Sequence, residues 1–414
     1  MKTALTNAIL IVVSSVLTWV AVELAIFPAL VPHMPLRLHD YLGEIEPLAQ
    51  SSKEGLVPKA DWILLVGDSY AKGNGDWLLA ADQDANPPFQ AAHVLHALTG
   101  RDVMNLGLPG VGSIYGWNRL PEEYMTWLGK AWRYRVEAPS VLFAYFYEGN
   151  DLNDNLRRVR AHFNGEAPLG FFADPSAVAR VIEDEAAYRH KGKRTLLYDL
   201  FAAKFVRNLV KGEWRNARQE AEASRSQMEA RTMDGPQAPP TALNPGSSDN
   251  AFRVAGRAQS VTGGLQSPAM ELSDEQTAAS LLVVDRALAR LRQQFPDTRT
   301  VVVYLPAPLS LYDPAAGDFL VQTYQGGPNR FSAQAIRRRS DDLCRSVRAI
   351  AGAQKAGFID ARGPLRDVAR SNPVHGPRDW KHLNRLGQEV LAGILAGKLA
   401  SPDASGSCGR LADG

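Results

Sequence analysis

Two short segments, far apart in the chain, hold the residue types that nucleophilic chemistry requires. Gly67-Asp68-Ser69-Tyr70 follows the apolar run Trp62-Ile63-Leu64-Leu65-Val66, and Asp379-Trp380-Lys381-His382-Leu383-Asn384 lies near the C-terminus. A serine hydroxyl becomes a nucleophile near neutral pH only beside a base, and that base needs a third group to orient it. Asp379 and His382 stand three residues apart, close enough to act on one partner. Together the segments supply nucleophile, base and orienting carboxylate.

A sheet must bring them together. Trp62–Val66, Val103-Met104-Asn105, Val141–Phe146, Thr300–Tyr304 and Gly357–Asp360 read as buried strands, and continuous apolar strands of this kind belong in parallel sheets covered on both faces. Helices are expected between them: Pro87 to Leu98 with Gly100 just past its end, and Ser273 to Gln294 behind a capping box. Two more follow, Phe331 to Ala353 and Asn384 to Leu399. The alternation predicts a three-layer α/β/α sandwich with a mostly parallel sheet over residues 61–155 and 273–400. Residues 36–60 read as a linker and 401–414 as a disordered tail. Residues 156–272 read as an insertion. Within it Leu197, Phe201, Phe205 and Leu209 recur every four residues among Arg and Lys, which predicts one amphipathic basic helix. That helix can pack on the domain as a lid or buttress, or lie on a membrane surface. Gln219 to Pro268, rich in Ser, Ala, Gly, Pro and Gln, is expected to be disordered.

The first 35 residues read as a membrane anchor. Ala4 to Val22 carries no charge, about the length a helix needs to cross ~30 Å of hydrocarbon. Glu23 interrupts the run and Leu24-Ala25-Ile26-Phe27 resume it, so the membrane is the expected partner of residues 4–27. A cleaved signal peptide is the rival reading. Lys2 and the terminal amine favour a cytoplasmic N-terminus and an extracytoplasmic domain, at the periplasm or cell surface. The net charge of +2 gives no support to a nucleic-acid partner. With two cysteines, Cys344 and Cys408, no multi-cysteine metal site can be argued; a single bridge between them stays open.

Four blocks fall in one order: Gly67-Asp68-Ser69, then Asn105 to Gly110, then Glu148-Gly149-Asn150-Asp151, then Asp379 to His382. In this the chain resembles the SGNH/GDSL hydrolase superfamily, over roughly residues 60–155 and 273–400. The resemblance implies that Ser69 attacks an ester carbonyl, His382 takes its proton and Asp379 orients the imidazole. It also implies an oxyanion hole made by the backbone N–H groups of Ser69 and Gly110 and the side-chain amide of Asn150, with no cofactor and no metal. Two positions depart from the pattern. Tyr70 stands where the family often has leucine, a change expected to matter little. Glu148 stands where glycine usually precedes the asparagine by two, so the loop backbone is expected to differ.

The anchor, and Pro306 to Tyr312 after the later strand, resemble SGNH proteins of the alginate O-acetyltransferase type. That implies esterase or O-acyltransferase activity on an acetylated extracytoplasmic glycan. An inactive glycan-binding or scaffold protein of a membrane complex, and a lipid esterase, are the alternatives. Other motifs carry less. Asp151-Leu152-Asn153-Asp154-Asn155 opens like a calcium loop, but Leu156 and His162 occupy the positions that need glycine and glutamate. Asp151 is expected instead to brace the Asn150 loop or cap the next helix. His93 and His96 read as a solvated helix face, and His375 lacks a nearby acid to make it the base.

Overall fold

The computed structural model describes residues 2–80, 90–130, 136–163, 165, 169–186, 200–215, 218, 250–261, 264–315, 317–323, 329–401 and 406–411. The chain divides into two compact units. One holds residues up to Ser51 together with 200–218; the other begins at Ser52 and carries the sheet.

The strands, in chain order, are β1 (Ile63–Val66), β2 (Val103–Asn105), β3 (Val141–Tyr147), β4 (Asn250–Val254), β5 (Arg257–Val261), β6 (Arg299–Leu305), β7 (Asp313–Pro314), β8 (Phe319–Val321), β9 (Asn329–Phe331) and β10 (Gly357–Asp360). Five of them form a wholly parallel sheet in the order β10-β6-β3-β1-β2. The expected α/β sandwich is therefore present. β1 and β3 are buried at every position, as strands covered on both faces must be. On one face Ile63, Leu65, Phe143, Tyr145 and Val303 share a core with Leu95, Leu365, Leu391 and Leu395. Strand alternation turns Leu64, Leu142, Ala144 and Val302 to the other face. There the helix Ala333–Ala353 packs on β6 and β10, beside Asp274–Gln294.

Topology places the site. From β1 the chain steps out to β2, returns past β1 to β3, and continues outward to β6 and β10. The winding direction thus reverses between β1 and β3, and in doubly wound sheets the crevice at the carboxyl ends of such strands is where ligands bind. Ser69 follows β1 by three residues and Asn150 follows β3 by three.

Local signals set the helix ends. Ser273 and Gln276 form a reciprocal capping box, Ser332 and Asn384 cap the next two long helices, and Gly100 closes Ala91–Thr99 in the left-handed conformation. Pro87, expected to open that helix, lies outside the described residues. Three expectations need correction. Residues 36–49 are a run of short helices that bury Leu42, Ile45 and Leu48, so this stretch is packed structure. Within the stretch expected to be disordered, β4 and β5 form an antiparallel hairpin turned at Ala255-Gly256, and β4 also pairs with β7. Phe252 stacks on Tyr312 at 4.3 Å, a long-range anchor that composition does not reveal. Gln219 to Asp249 lie outside the described residues. The tail is also held: Cys408 is disulfide-bonded to Cys344, Gly409 N–H donates to Asp360, and Leu411 N–H donates to Asp341.

In the other unit, the helix over residues 201–215 packs on the N-terminal helix. Ala202 and Ala203 N–H groups donate to the Glu23 carboxylate at 3.2 and 3.1 Å, and Phe205 meets Phe27. The basic helix thus packs on the apolar N-terminal helix; Leu197 lies outside the described residues. Thr3–His33 is long and apolar enough to cross a membrane.

Candidate active site

Asp68 ends the turn after β1 and caps the short helix Ser69–Lys72, accepting the Tyr70 N–H at 2.9 Å. Gly67 makes the turn: at φ +151° a Cβ would sit 2.9 Å from that of Tyr145. Ser69 is thereby fixed at the carboxyl edge of the sheet, with 7% of its surface exposed. Its Oγ lies 2.9 Å from His382 Nε2, and His382 Nδ1 lies 2.7 Å from Asp379 Oδ2. A carboxylate only accepts, so Nδ1 carries the proton and Nε2 is left to accept from the serine hydroxyl. Two segments 313 residues apart close one hydrogen-bonded line.

The His382 loop is held from several sides. His375 and Leu383 pair as an isolated bridge, and Asn384 N–H donates to Val374 O. Asn384 accepts from Gly387 and donates to Pro373 O, so one side chain caps the last helix and pins the loop before it. Asp76 accepts the backbone N–H groups of Arg378 and Asp379. Gly75 explains the glycine in Gly73-Asn74-Gly75: a Cβ there would meet Leu383 O at 2.3 Å, so only glycine lets the two loops touch.

Electrostatics differ from group to group. Burial pushes Asp379 up, but the His382 side chain and the N–H groups of Lys381 and His382 outweigh it, leaving its carboxyl below the usual range. Asp379 is therefore an anion near neutral pH, the form that stabilises an imidazolium. Burial pushes Asp68 up to about 6, opposed by the Tyr70 N–H and the His382 charge. His375 is fully buried beside the Tyr312 hydroxyl, 3.0 Å away, and desolvation lowers it to about 3. It stays neutral with its Nδ1 engaged by Tyr312, whereas the His382 ring lies against Ser69 Oγ, which makes His382 the base within reach.

Asn150 sits at the N-cap of the helix Asp151–His162, with its amide Nδ2 donating to Asp154 at 3.0 Å. That bond uses one of two amide hydrogens and fixes the plane of the other. Asp151 accepts the Tyr147 N–H at 2.9 Å, which is the bracing role expected of it. Glu148, the departure from glycine, is completely buried. It accepts from Tyr304 OH, Ala307 N–H and the hydroxyls of Ser310 and Ser340. It ties the loop after β3 to the loop after β6. Gly110 adopts φ +71° and is exposed; Leu108 N–H donates to Gly67 O, which keeps its loop beside the Ser69 turn. A cavity of about 240 Å³ opens next to it, lined by Gly110, Tyr115, Asp154, Arg157 and Arg158 among others.

Sequence reasoning undervalued Tyr70. Its ring is buried and stacked on Tyr147 at 4.1 Å, and its hydroxyl donates to Lys381 O at 2.7 Å, one residue from His382. Leucine has no hydroxyl with which to hold that loop. Asp76 and Asp154 were missed as well, since their partners lie 303 and 4 residues away with no motif to mark them. His93 is buried, not on a solvated face.

No protein-family model and no curated protein matches the chain. Among solved structures it is similar to phospholipase A1 from Streptomyces albidoflavus NA297. The identity is 13% and the TM-score 0.36, over 82% of this chain and 100% of that one. A likeness at that level bears on neither the activity nor the substrate of this chain.

Proposed function

We propose that the chain is a membrane-anchored serine esterase or O-acyltransferase that works outside the cytoplasm on acetyl esters of a glycan. The observation that carries the reading is the line from Ser69 Oγ through His382 to Asp379, at 2.9 and 2.7 Å. In this mechanism Ser69 Oγ attacks the ester carbonyl carbon as its proton passes to His382 Nε2. The oxyanion forms against the N–H groups of Ser69 and Gly110 and the second hydrogen of the Asn150 amide, donors worth about 2.7–4 kcal/mol each in such holes. The tetrahedral intermediate collapses, expelling the alcohol, which takes the proton back from His382. Water or a sugar hydroxyl then discharges the acyl-Ser69 by the same route in reverse. The acyl acceptor decides between hydrolysis and transfer.

The Cys344–Cys408 bridge supports an oxidising, extracytoplasmic setting, and the Thr3–His33 helix supports the anchor. The acetylated glycan rests on the family resemblance alone. The test is labelling of the full chain with a fluorophosphonate probe, beside Ser69→Ala and His382→Ala. Wild type is expected to label and both variants to lose labelling. Unlabelled wild-type protein, or labelling that survives Ser69→Ala, would overturn the assignment. Acetyl donor with and without oligosaccharide then separates transfer from release of free acetate.

A further inference from the structure

The helix over residues 201–215 has two unlike sides. Phe201, Phe205, Asn208 and Gly212 face the N-terminal segment. There Phe205 meets Phe27, Asn208 donates to Tyr41 O at 3.1 Å, and a Cβ on Gly212 would strike the Tyr41 ring. On the outward side Val206, Val210 and Trp214 recur every four residues and are 51%, 63% and 65% exposed. At 100° per residue they form one apolar stripe about 80° wide. Beside it lie Arg207, Lys211, Arg215 and Arg218, all exposed, and Arg218 sits over the Trp214 ring at 5.9 Å. The one acidic side chain of the helix, Glu213, accepts from Tyr41 OH.

The place where this helix docks fixes its depth. It meets the N-terminal helix at Glu23 and Phe27. Twenty residues separate Glu23 from Thr3, about 30 Å of helix, which is the thickness of a hydrocarbon core. The backbone winds as a π-helix over Val22–Ile26, at this contact. The Glu23 carboxylate meets the N–H groups at the start of the second helix, the end that favours an anion. An apolar stripe edged by cations, held at that level, matches a helix whose apolar side chains enter the acyl boundary while Arg and Lys reach the headgroups.

We propose that residues 201–215 are an interfacial helix. Val206, Val210 and Trp214 enter the lipid leaflet at the Glu23 end of the anchor, and the basic arc holds anionic headgroups. This rests on the reading of Thr3–His33 as a membrane anchor. Both native cysteines are bridged, so a single introduced cysteine can carry a nitroxide. The full chain is reconstituted in phosphatidylcholine vesicles containing phosphatidylglycerol. The nitroxide is placed at Val13→Cys, Val210→Cys or Lys211→Cys, and its accessibility to oxygen and to a nickel chelate is measured. Val206→Cys and Trp214→Cys repeat the stripe reading, so that one poorly folded variant does not decide it.

The oxygen-over-nickel ratio at Val210 is expected to exceed that at Lys211 severalfold, placing the label ~5–10 Å into the headgroup and acyl boundary. The ratio should fall when phosphatidylglycerol is left out; indifference to headgroup charge overturns the role of the basic arc. A Val210 label reached by nickel as readily as Lys211, or by neither reagent because protein covers it, overturns the proposal. With Val13 in lipid, such a result sinks the interfacial helix alone. Val13 in water with Val210 in lipid sinks the anchor and, with it, the depth assigned to the helix. Both in water sinks both.

Discussion

Tyr70 shows how much one side chain can add to a site whose main groups were legible. Ser69, Asp379 and His382 could be read from order and spacing, because each sits in a short local pattern. Tyr70 could not, because its partner, Lys381 O, lies 311 residues away and comes near only once the sheet has closed. Its hydroxyl satisfies a carbonyl beside His382. Removing it leaves that acceptor unpaired, at a cost of about 1–3 kcal/mol. If His382 is the base, Tyr70→Phe should lower kcat by up to roughly 5- to 150-fold with KM little changed, since a factor of ten is about 1.4 kcal/mol. Steady-state kinetics on an aryl acetate provide the check. An unchanged kcat would return Tyr70 to the role of core filler. Glu148 makes a similar point: substitution at a glycine position signalled a different loop, but its four hydrogen bonds depend on strands β3 and β6 lying side by side.

At the scale of elements, the five sheet strands and the capped helices carry their signals locally, in apolar runs and in Ser, Asn and Gly at helix ends. The β4–β5 hairpin and the tail carry none that composition could reveal. Arg257 to Ser260 is polar and mostly exposed, and the hairpin is held by Phe252 against Tyr312. The tail is held by the Cys344 bridge and by the cluster around buried Arg362. That side chain pairs with Asp360 and Asp341 at 2.8 Å and donates to Gly409 O. The bridge closes a 64-residue separation. A loop of that size is worth roughly 4 kcal/mol by the chain-entropy account. Cys344→Ser with Cys408→Ser should lower unfolding stability by that amount while the line through Ser69 stays intact, which denaturant unfolding and probe labelling report separately. Unchanged stability would mean the Arg362 cluster holds the tail unaided.

For the whole molecule, several buried groups titrate in opposite senses. Burial raises Asp154, and although Arg157 opposes it the carboxyl stands at about 6 against an ordinary 3.8; Asp68 behaves alike. Between pH 4 and 6 the folded state keeps a proton that the unfolded state has lost, so each of these carboxyls makes stability fall as pH rises. His375 acts the other way: held neutral down to about 3, it costs stability as pH falls below 6.5. The two senses offset, so the overall curve is flatter than either alone. Asp154→Asn isolates one contribution. Because a tenfold change in proton affinity is worth about 1.4 kcal/mol, the variant should gain on wild type by roughly 1–3 kcal/mol between pH 4 and 7. Parallel stability curves across that range would remove Asp154 from the set of strained carboxyls.

The 313 residues between Ser69 and His382 also set a timetable. At a synthesis rate of about 5–20 residues per second, roughly 15–60 s pass between the making of the serine and the making of its histidine. During that interval the nascent chain holds the Ser69 segment without His382, while the apolar helix Thr3–His33 has already been made. On the proposed function, a chain arranged in this order has its anchor before its nucleophile has a base. Cys408 follows His382 by 26 residues and is made after it. Closure of its bridge therefore comes after every group of the proposed site has been laid down.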